Sequence, residues 1–501
     1  MKTLLILFVV LFAAVSPQSV IRAQLCLDPG ASITVKDGTL FSAGGGLTIR
    51  SNATASGHLA DQTTTGVQIS GAVNIERYIA ANGWHNISSP IATANTTLFG
   101  SNSLIFYYDE TLVQNDWNFG WVWHNGSMES MRGYDLLLEG GAVNVQFASA
   151  DPLQLHTGSY AIAVYNTTHP EGEIPERKGW NLLGNPFASP IDWLNAAGWN
   201  KAAINDVVYV WDPANDIYTA FIGGSDPIGI NGATQYIPSC QGFWVQALQN
   251  GSVQVSNAAR VGIATGTPDY YKKTRSVYPI IQLSVTGNTG SDETIIRFLD
   301  GATDNFDQNK DAIKLFSPNP KIPQLYTTAP NNKLAINSMG KERSSLEIPI
   351  LIKGKIDEPL LLDIMTLANF EIGTEVYLKN TQTQTLIQLT EGMQIQLSQT
   401  GAFATQNLAV VINPSEAELQ TQKTPFIVFF NQNGEIQVNN TTDESKYISL
   451  MLYDITGKIV AKNTFEIVSV LTWRPGTMKG IFVLVINDSG NIFTHKLFNN
   501  N

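Results

Sequence analysis

The sequence predicts an all-β chain of several domains, on three observations. Short pulses of alternating apolar and polar residues recur almost from end to end, the period of strands that bury one face. Gly (41) and Pro (22) fall between the pulses, where turns need them. Only 14% of residues are charged, too few to clothe long exposed helices, while 43% are hydrophobic, enough for folded cores. At 501 residues the chain exceeds one compact core, and about 100–200 residues per domain implies three or four units. The expected order is a short β-solenoid-like N-terminal segment, a duplicated aromatic-rich β-module, a β-sandwich and a C-terminal immunoglobulin-like sandwich.

Charge and composition exclude some functions. A formal net charge of −12 leaves no cationic field to collect phosphates, so no nucleic-acid partner is expected. Two cysteines allow at most one disulfide and no Cys-rich zinc framework, and six scattered histidines weaken a His-based site.

Residues 1–23 read as a signal peptide. Lys2 supplies the positive end, and an apolar run from Leu4 to Val15 stops at Ser16-Pro17. No other stretch approaches the roughly 20 apolar residues of a membrane-spanning helix. Cleavage is expected after Ala23. Acylation at Cys26 is disfavoured, because Gln24 and Leu25 are bulky where a lipobox wants small residues. Export would permit a Cys26–Cys240 disulfide, and two unpaired thiols fit equally well.

Residues 24–75 carry pulses at Ala31–Val35, Leu40-Phe41, Leu47–Ile49 and Val67–Ile69. Each is about one rung of a β-solenoid, an array so short that it needs a neighbour as cap. An ordinary β-meander fits the same pulses.

Residues 76–262 form a Trp-rich domain, since nine of the ten tryptophans lie between positions 84 and 244. An internal repeat underlies it. Gly83-Trp84 with Pro90 answers Gly179-Trp180 with Pro186. Phe106-Tyr-Tyr-Asp109 answers Tyr209-Val-Trp-Asp212, Ser130-Met-Arg-Gly-Tyr134 answers Ser239-Cys-Gln-Gly-Phe243, and Val143-Asn-Val145 answers Val253-Gln-Val255. The order is kept while insertions accumulate in the second copy, which gives modules at 76–150 and 172–262. The Gly-Trp pairs read as structural, with Gly supplying backbone freedom and Trp a buried ring. Trp117, Trp121 and Trp123 share parity in a Gly- and Asn-rich hairpin, which predicts three rings on one strand face. That face is either core or a platform for sugar rings.

Residues 263–275 hold Gly266, Pro268 and the basic run Lys272-Lys-Thr-Arg275, and read as a linker. Residues 276–420 then carry longer strand pulses, the pattern of a β-sandwich. Asp304, Asp307, Asn309 and Asp311 offer four oxygen-bearing side chains, but without the spacing or closing Glu of a calcium loop. Asp and Asn capping a solvated turn is the main reading and a calcium site the minor one; no other cofactor is expected.

A search for catalytic arrangements finds no Gly-x-Ser-x-Gly, His-Glu-x-x-His, Cys-x-x-Cys or phosphate-binding loop. A non-enzyme is expected.

Residues 421–501 read as short hairpinned strands, enough for a small immunoglobulin-like sandwich. The run Leu452-Tyr453-Asp454-Ile455-Thr456-Gly457-Lys458-Ile459-Val460, the run Gly480-Ile-Phe482-Val-Leu-Val-Ile486 and the terminal Lys496-Leu497 resemble the C-terminal sorting domain of proteins exported by the type IX secretion system of Bacteroidetes. The family's usual Gly-x-Tyr is Gly480-Ile-Phe482 here, which keeps the ring, and Pro475-Gly476 lies slightly upstream of the usual Pro-x-Gly. The Gly-Trp segments and residues 291–326 also look like parts of large cargo proteins of that system. The resemblance implies Sec export, then passage through the outer membrane directed by the terminal domain, with release or attachment to surface lipopolysaccharide. Tyr453, Asp454, Gly457, Lys458, Gly480, Phe482, Lys496 and Leu497 would form the sorting signal, read by the translocon. The cargo is then expected to be a secreted or surface-held adhesin or structural protein, with a glycan-binding protein or carbohydrate-active enzyme as alternatives.

Overall fold

A computed structural model describes residues 24–499 except 40, 44, 65–67, 70–71, 81, 102, 114–116, 150–154, 169–177, 263–275, 342–344, 355–358, 398–406, 416–425, 432–433, 441–445, 477–478 and 489–490. The segments expected to be a signal peptide, residues 1–23, and a linker, residues 263–275, therefore lie outside the described residues. The fold is all-β, with multiple sheets and, among the described residues, no helix of seven residues or more. It divides into two compact units. The first holds most of the chain to residue 410, and the second holds 344–346, 375–388 and 411–501.

The N-terminal pulses stack in parallel. Leu25–Leu27 lies on Leu47–Ile49, which lies on Val73–Ile79; Ser32–Lys36 lies on His58–Gln62, and Ser42–Ala43 on Gln68–Ile69. Three parallel stacks in succession make a solenoid, and a meander, whose neighbours run antiparallel, is ruled out. Leu27, Val35, Leu47, Ile49, Leu59, Val73 and Ile75 fill it. Val73–Ile79 also pairs antiparallel with Val143–Ser149, so it serves both the last rung and the next module. The expected boundary between residues 75 and 76 falls inside this strand.

The duplication extends to topology. In the first copy the sheet order is Gly83–Ile87, Tyr134–Leu138, Ser103–Tyr108, Trp121–Trp123. In the second it is Trp180–Gly184, Gly242–Gln246, Val207–Asp212, Ile217–Ile222, with Ile228–Ile230 added at the edge. Each copy has a second sheet. Val73–Ile79 pairs with Val143–Ser149 in one, and Ser159–Val164 pairs with Gly251–Ser256 in the other. The second copy thus starts a strand earlier than the repeat in the sequence indicated.

The copies meet through reciprocal contacts. The Ser88 amide donates to the Cys240 carbonyl at 3.0 Å, and its counterpart Gly184 donates to Met131, the counterpart of Cys240, at 2.8 Å. Bridges join Ile87 to Gln241 and Arg132 to Leu183, again equivalent pairs exchanged. Met131 and Cys240 both hold positive φ (63° and 59°), an uncommon backbone state for such residues. A Cβ at Gly133 would lie 2.3 Å from the Leu183 carbonyl oxygen, so the close approach requires Gly there.

A buried polar cluster joins the solenoid to the second copy. Arg260 donates to the Leu59 carbonyl (2.7 Å), Ser189 (3.2 Å) and Asn257 (3.3 Å), and lies 3.9 Å from Asp61. Burial lowers its pKa to about 10. Burial alone would raise Asp61, but bonds from Thr157 and Thr63 and the Arg260 charge outweigh it and hold the carboxyl below its ordinary value.

From residue 276 the first unit continues as one long sheet bent into a half-barrel. Its order is Leu346–Lys353, Gln324–Ala329, Asn332–Met339, Ser291–Phe298, Ile280–Thr286, Leu360–Ala368, Gln394–Leu397. A bulge between Gln282 and Leu283 helps it bend.

The second unit ends in an antiparallel sandwich. Phe426–Phe430, Ile436–Asn440 and Val470–Trp473 form one sheet; Ile459–Ile467, Lys446–Asp454, Gly480–Asp488 and Asn491–Asn499 form the other. Its core includes Phe426, Val438, Leu450, Leu452, Trp473, Phe482, Leu484 and Leu497.

Candidate functional site

Three groups of side chains were singled out from the sequence, and the structure treats them differently. Trp117, Trp121 and Trp123 do not share one strand. Trp117–Gly120 is a 3₁₀ turn and the strand is Trp121–Trp123 only, too short to carry all three rings. The Trp117 side chain lies outside the described residues. Trp121 sits edge-on against Tyr108 (5.1 Å) and Trp244 (5.6 Å), a core contact with the second copy. Trp123 is 60% exposed.

Trp123 belongs to a larger open face. Its strand places it opposite Phe106, Phe106 lies opposite Asp135, and Asp135 lies opposite Asn86, one row across four strands. The adjacent row is Leu104, Leu137 and Trp84, with Leu104 45% and Trp84 38% exposed. The alternate residues Ile105, Leu136 and Ile87 point to the other side, into the solenoid core.

Polar groups are fixed in the middle of this apolar face. The Asn86 amide nitrogen donates to Asp135 at 2.8 Å, and its oxygen accepts from the Trp244 indole at 3.1 Å, which sets the amide's orientation. Asp135 is half-buried and ringed by protein atoms, and this desolvation pushes its pKa up to about 7 against the lowering effect of the Asn86 bond. No other carboxylate contributes to that shift. Tyr218 stands close by, its phenol pushed up by burial and by the Asp135 charge, with its ring tilted against Trp211 at 4.9 Å.

The acidic loop forms no cage. Asp311 is buried, not solvated as expected; its Oδ1 accepts from the Ser338 amide (2.6 Å) and its Oδ2 from the Asp307 amide (2.7 Å). Burial pushes its pKa up to about 7. Asn309 turns the other way, accepting from the Asp206 amide at 2.7 Å and donating its own amide to Asn205 at 2.6 Å. Asp304 opens the same loop as an exposed residue. Among the described residues no group of three or more His, Cys, Asp or Glu side chains is placed to hold a metal ion. The cysteines are free, Cys26 exposed and Cys240 buried, so the disulfide allowed by the sequence is not formed.

The residues whose pattern resembles a sorting domain divide by surroundings. Asp454 caps the hairpin turn, its Oδ1 accepting from Thr456 Oγ1 (2.6 Å), the Thr456 amide (2.9 Å) and the Lys458 amide (3.0 Å). Gly457 takes φ 83° in that turn and Gly480 φ 113° at the start of its strand. Lys458 is exposed, as are Ile455, Ile459 and Val460 around it. Phe482 and Leu497 face each other in the core, while Tyr453 and Lys496 flank Val483 on the outer face.

With this geometry in place, comparison with known families gives one match. A family model described as a domain of unknown function (DUF8693) covers residues 18–407. The chain belongs to that family. The match spans the solenoid, both module copies and the long sheet, and stops short of the terminal sandwich. No curated protein matches the chain.

Sequence reasoning missed Trp84, Phe106 and Asp135 as members of the open face, and Asn86 as the buried amide bonded to Asp135. The first two were visible in the repeat, but their meeting depends on strand pairing. For Asp135 the available signal was that a carboxylate stands where the second copy has Trp244.

Proposed function

We propose that this protein is exported and held at the cell surface or released as a non-catalytic adhesin or structural protein, with its terminal sandwich serving as a type IX sorting domain. The observation that carries the reading is the Leu452–Val460 segment. It forms a tight hairpin whose tip presents Lys458 and three apolar side chains to solvent, on a sandwich with its own core. A translocon can read such a projecting turn without unfolding what supports it. The signal peptide read in residues 1–23 supplies the first stage, and no helix among the described residues is long and apolar enough to cross a membrane. A non-catalytic body is the reading that the sequence suggests, since none of the catalytic motifs sought occurs in it.

The test is localisation in a host with type IX secretion. The full chain is expected to be digested by protease added to intact cells, and a chain lacking residues 426–501 to collect in the periplasm. Surface exposure of the truncated chain overturns the reading.

A further inference from the structure

The duplication supplies an internal comparison. In the second copy, the row equivalent to Asn86, Asp135, Phe106 and Trp123 is Leu182, Trp244, Tyr209 and Ala220, by the same strand pairings. All four are buried, in one core with Ile280, Ile295, Leu334 and Ile336 of the long sheet. In the first copy Leu becomes Asn, Trp becomes Asp and Ala becomes Trp, and the strip from Asp135 through Phe106 to Trp123 is half-buried to exposed. Copy one has therefore exchanged core residues for a hydrogen-bonding pair, and added a large indole at the open end.

A covered face gains nothing from this exchange, because a carboxyl among rings raises the cost of burial. An open face gains both kinds of contact that a sugar ring uses. Flat indole and phenyl faces stack on its C–H surface, and a carboxyl with an oriented amide behind it accepts from its hydroxyls. The open part of the row, from Asp135 through Phe106 to Trp123, crosses three strands, which suits an extended chain of sugars, while Asn86 lies buried behind it. Asp135 is the only carboxyl in the row and the chain as a whole is acidic, so uronate or sulfated chains are disfavoured.

We propose that the row Asp135–Phe106–Trp123, flanked by Trp84 and Leu104, binds a neutral polysaccharide chain. This does not rest on the export reading, and either can fail without the other.

The test is affinity electrophoresis of the mature chain through gels containing soluble β-glucan, xylan, mannan, starch or alginate, with wild type, Trp123→Ala, Trp123→Phe and Asp135→Ala. Retardation by a neutral polymer is expected, with about tenfold weaker affinity for Trp123→Ala, partial retention for Trp123→Phe and a loss for Asp135→Ala. Trp123 projects mostly into solvent, so its variants should keep the wild-type circular dichroism and remain informative if Asp135→Ala misfolds. Three results overturn the proposal: no retardation by any neutral polymer, retardation by alginate alone, or retardation that Trp123→Ala leaves unchanged. A dimer in sedimentation velocity that Trp123→Ala dissolves also overturns it, since a second copy would then cover the face.

Discussion

Asp135 shows what one residue does to the energetics of its copy. Its carboxyl titrates near 7 when folded against an ordinary value of 3.8, because burial disfavours the charged form. Between those values the folded state binds more protons than the unfolded one, so stability falls as pH rises through that window and levels off above it. Asp135→Asn removes the titration while leaving an oxygen to accept from Asn86. The melting temperature of Asp135→Asn minus that of wild type should therefore grow between pH 4 and 7 and plateau near pH 8. Taking the difference cancels Asp311, which is displaced in the same direction. A difference independent of pH would show that Asp135 is not desolvated. The sequence held little of this: Asp135 is one of 42 acidic residues, marked only by standing where the second copy has Trp244, and its desolvation depends on the pairing with Asn86 and Phe106.

At the scale of elements, the repeat was legible because glycines and tryptophans survive at fixed order, and the reciprocal contacts explain the glycines. Gly133→Ala should destabilise by about 3 kcal/mol, since the added methyl meets a backbone carbonyl that cannot move aside. Gly141→Ala is the control: nothing lies within 4 Å of its Cβ, and the melting temperature should barely change. Equal effects of the two would remove the close contact as the reason for glycine. The Arg260 cluster makes a second prediction. Asp61→Ala leaves a buried guanidinium uncompensated and should cost about 3–5 kcal/mol in urea unfolding. If Asp61→Ala unfolds at the wild-type midpoint, the pair contributes nothing. Sequence left solenoid and meander level because both use the same pulses; parallel pairing of Leu25 with Leu47 is a long-range choice that local period does not encode. It also placed Trp117 on a strand by parity alone, where the chain turns through Trp117–Gly120 first.

For the whole molecule, the all-β character was legible, whereas sheet membership was not. The order of the long sheet brings Ser291–Phe298 beside Asn332–Met339 in parallel, across residues that themselves form other strands. In the terminal sandwich the hairpins were legible, since its strands follow one another closely, but not its division into two sheets, because Val470–Trp473 returns to Ile436–Asn440 and Gly480–Asp488 to Lys446–Asp454. Every buried residue of its core lies at or beyond Phe426, so a cavity made there should be felt there. Phe482→Ala removes a buried ring and should cost about 3–5 kcal/mol in that sandwich. Calorimetry of the full chain is then expected to show one transition moved to lower temperature and another unchanged. Under the export reading the same variant should accumulate in the periplasm, because a label that no longer folds presents no ordered Asp454–Lys458 turn. Lys458→Ala should leave both transitions in place, as its side chain is exposed, and reduce surface arrival only if the turn itself is read. A single transition that Phe482→Ala shifts as a whole would show that the terminal sandwich and the rest of the chain melt together. Normal surface arrival of Phe482→Ala would separate sorting from the folded sandwich altogether.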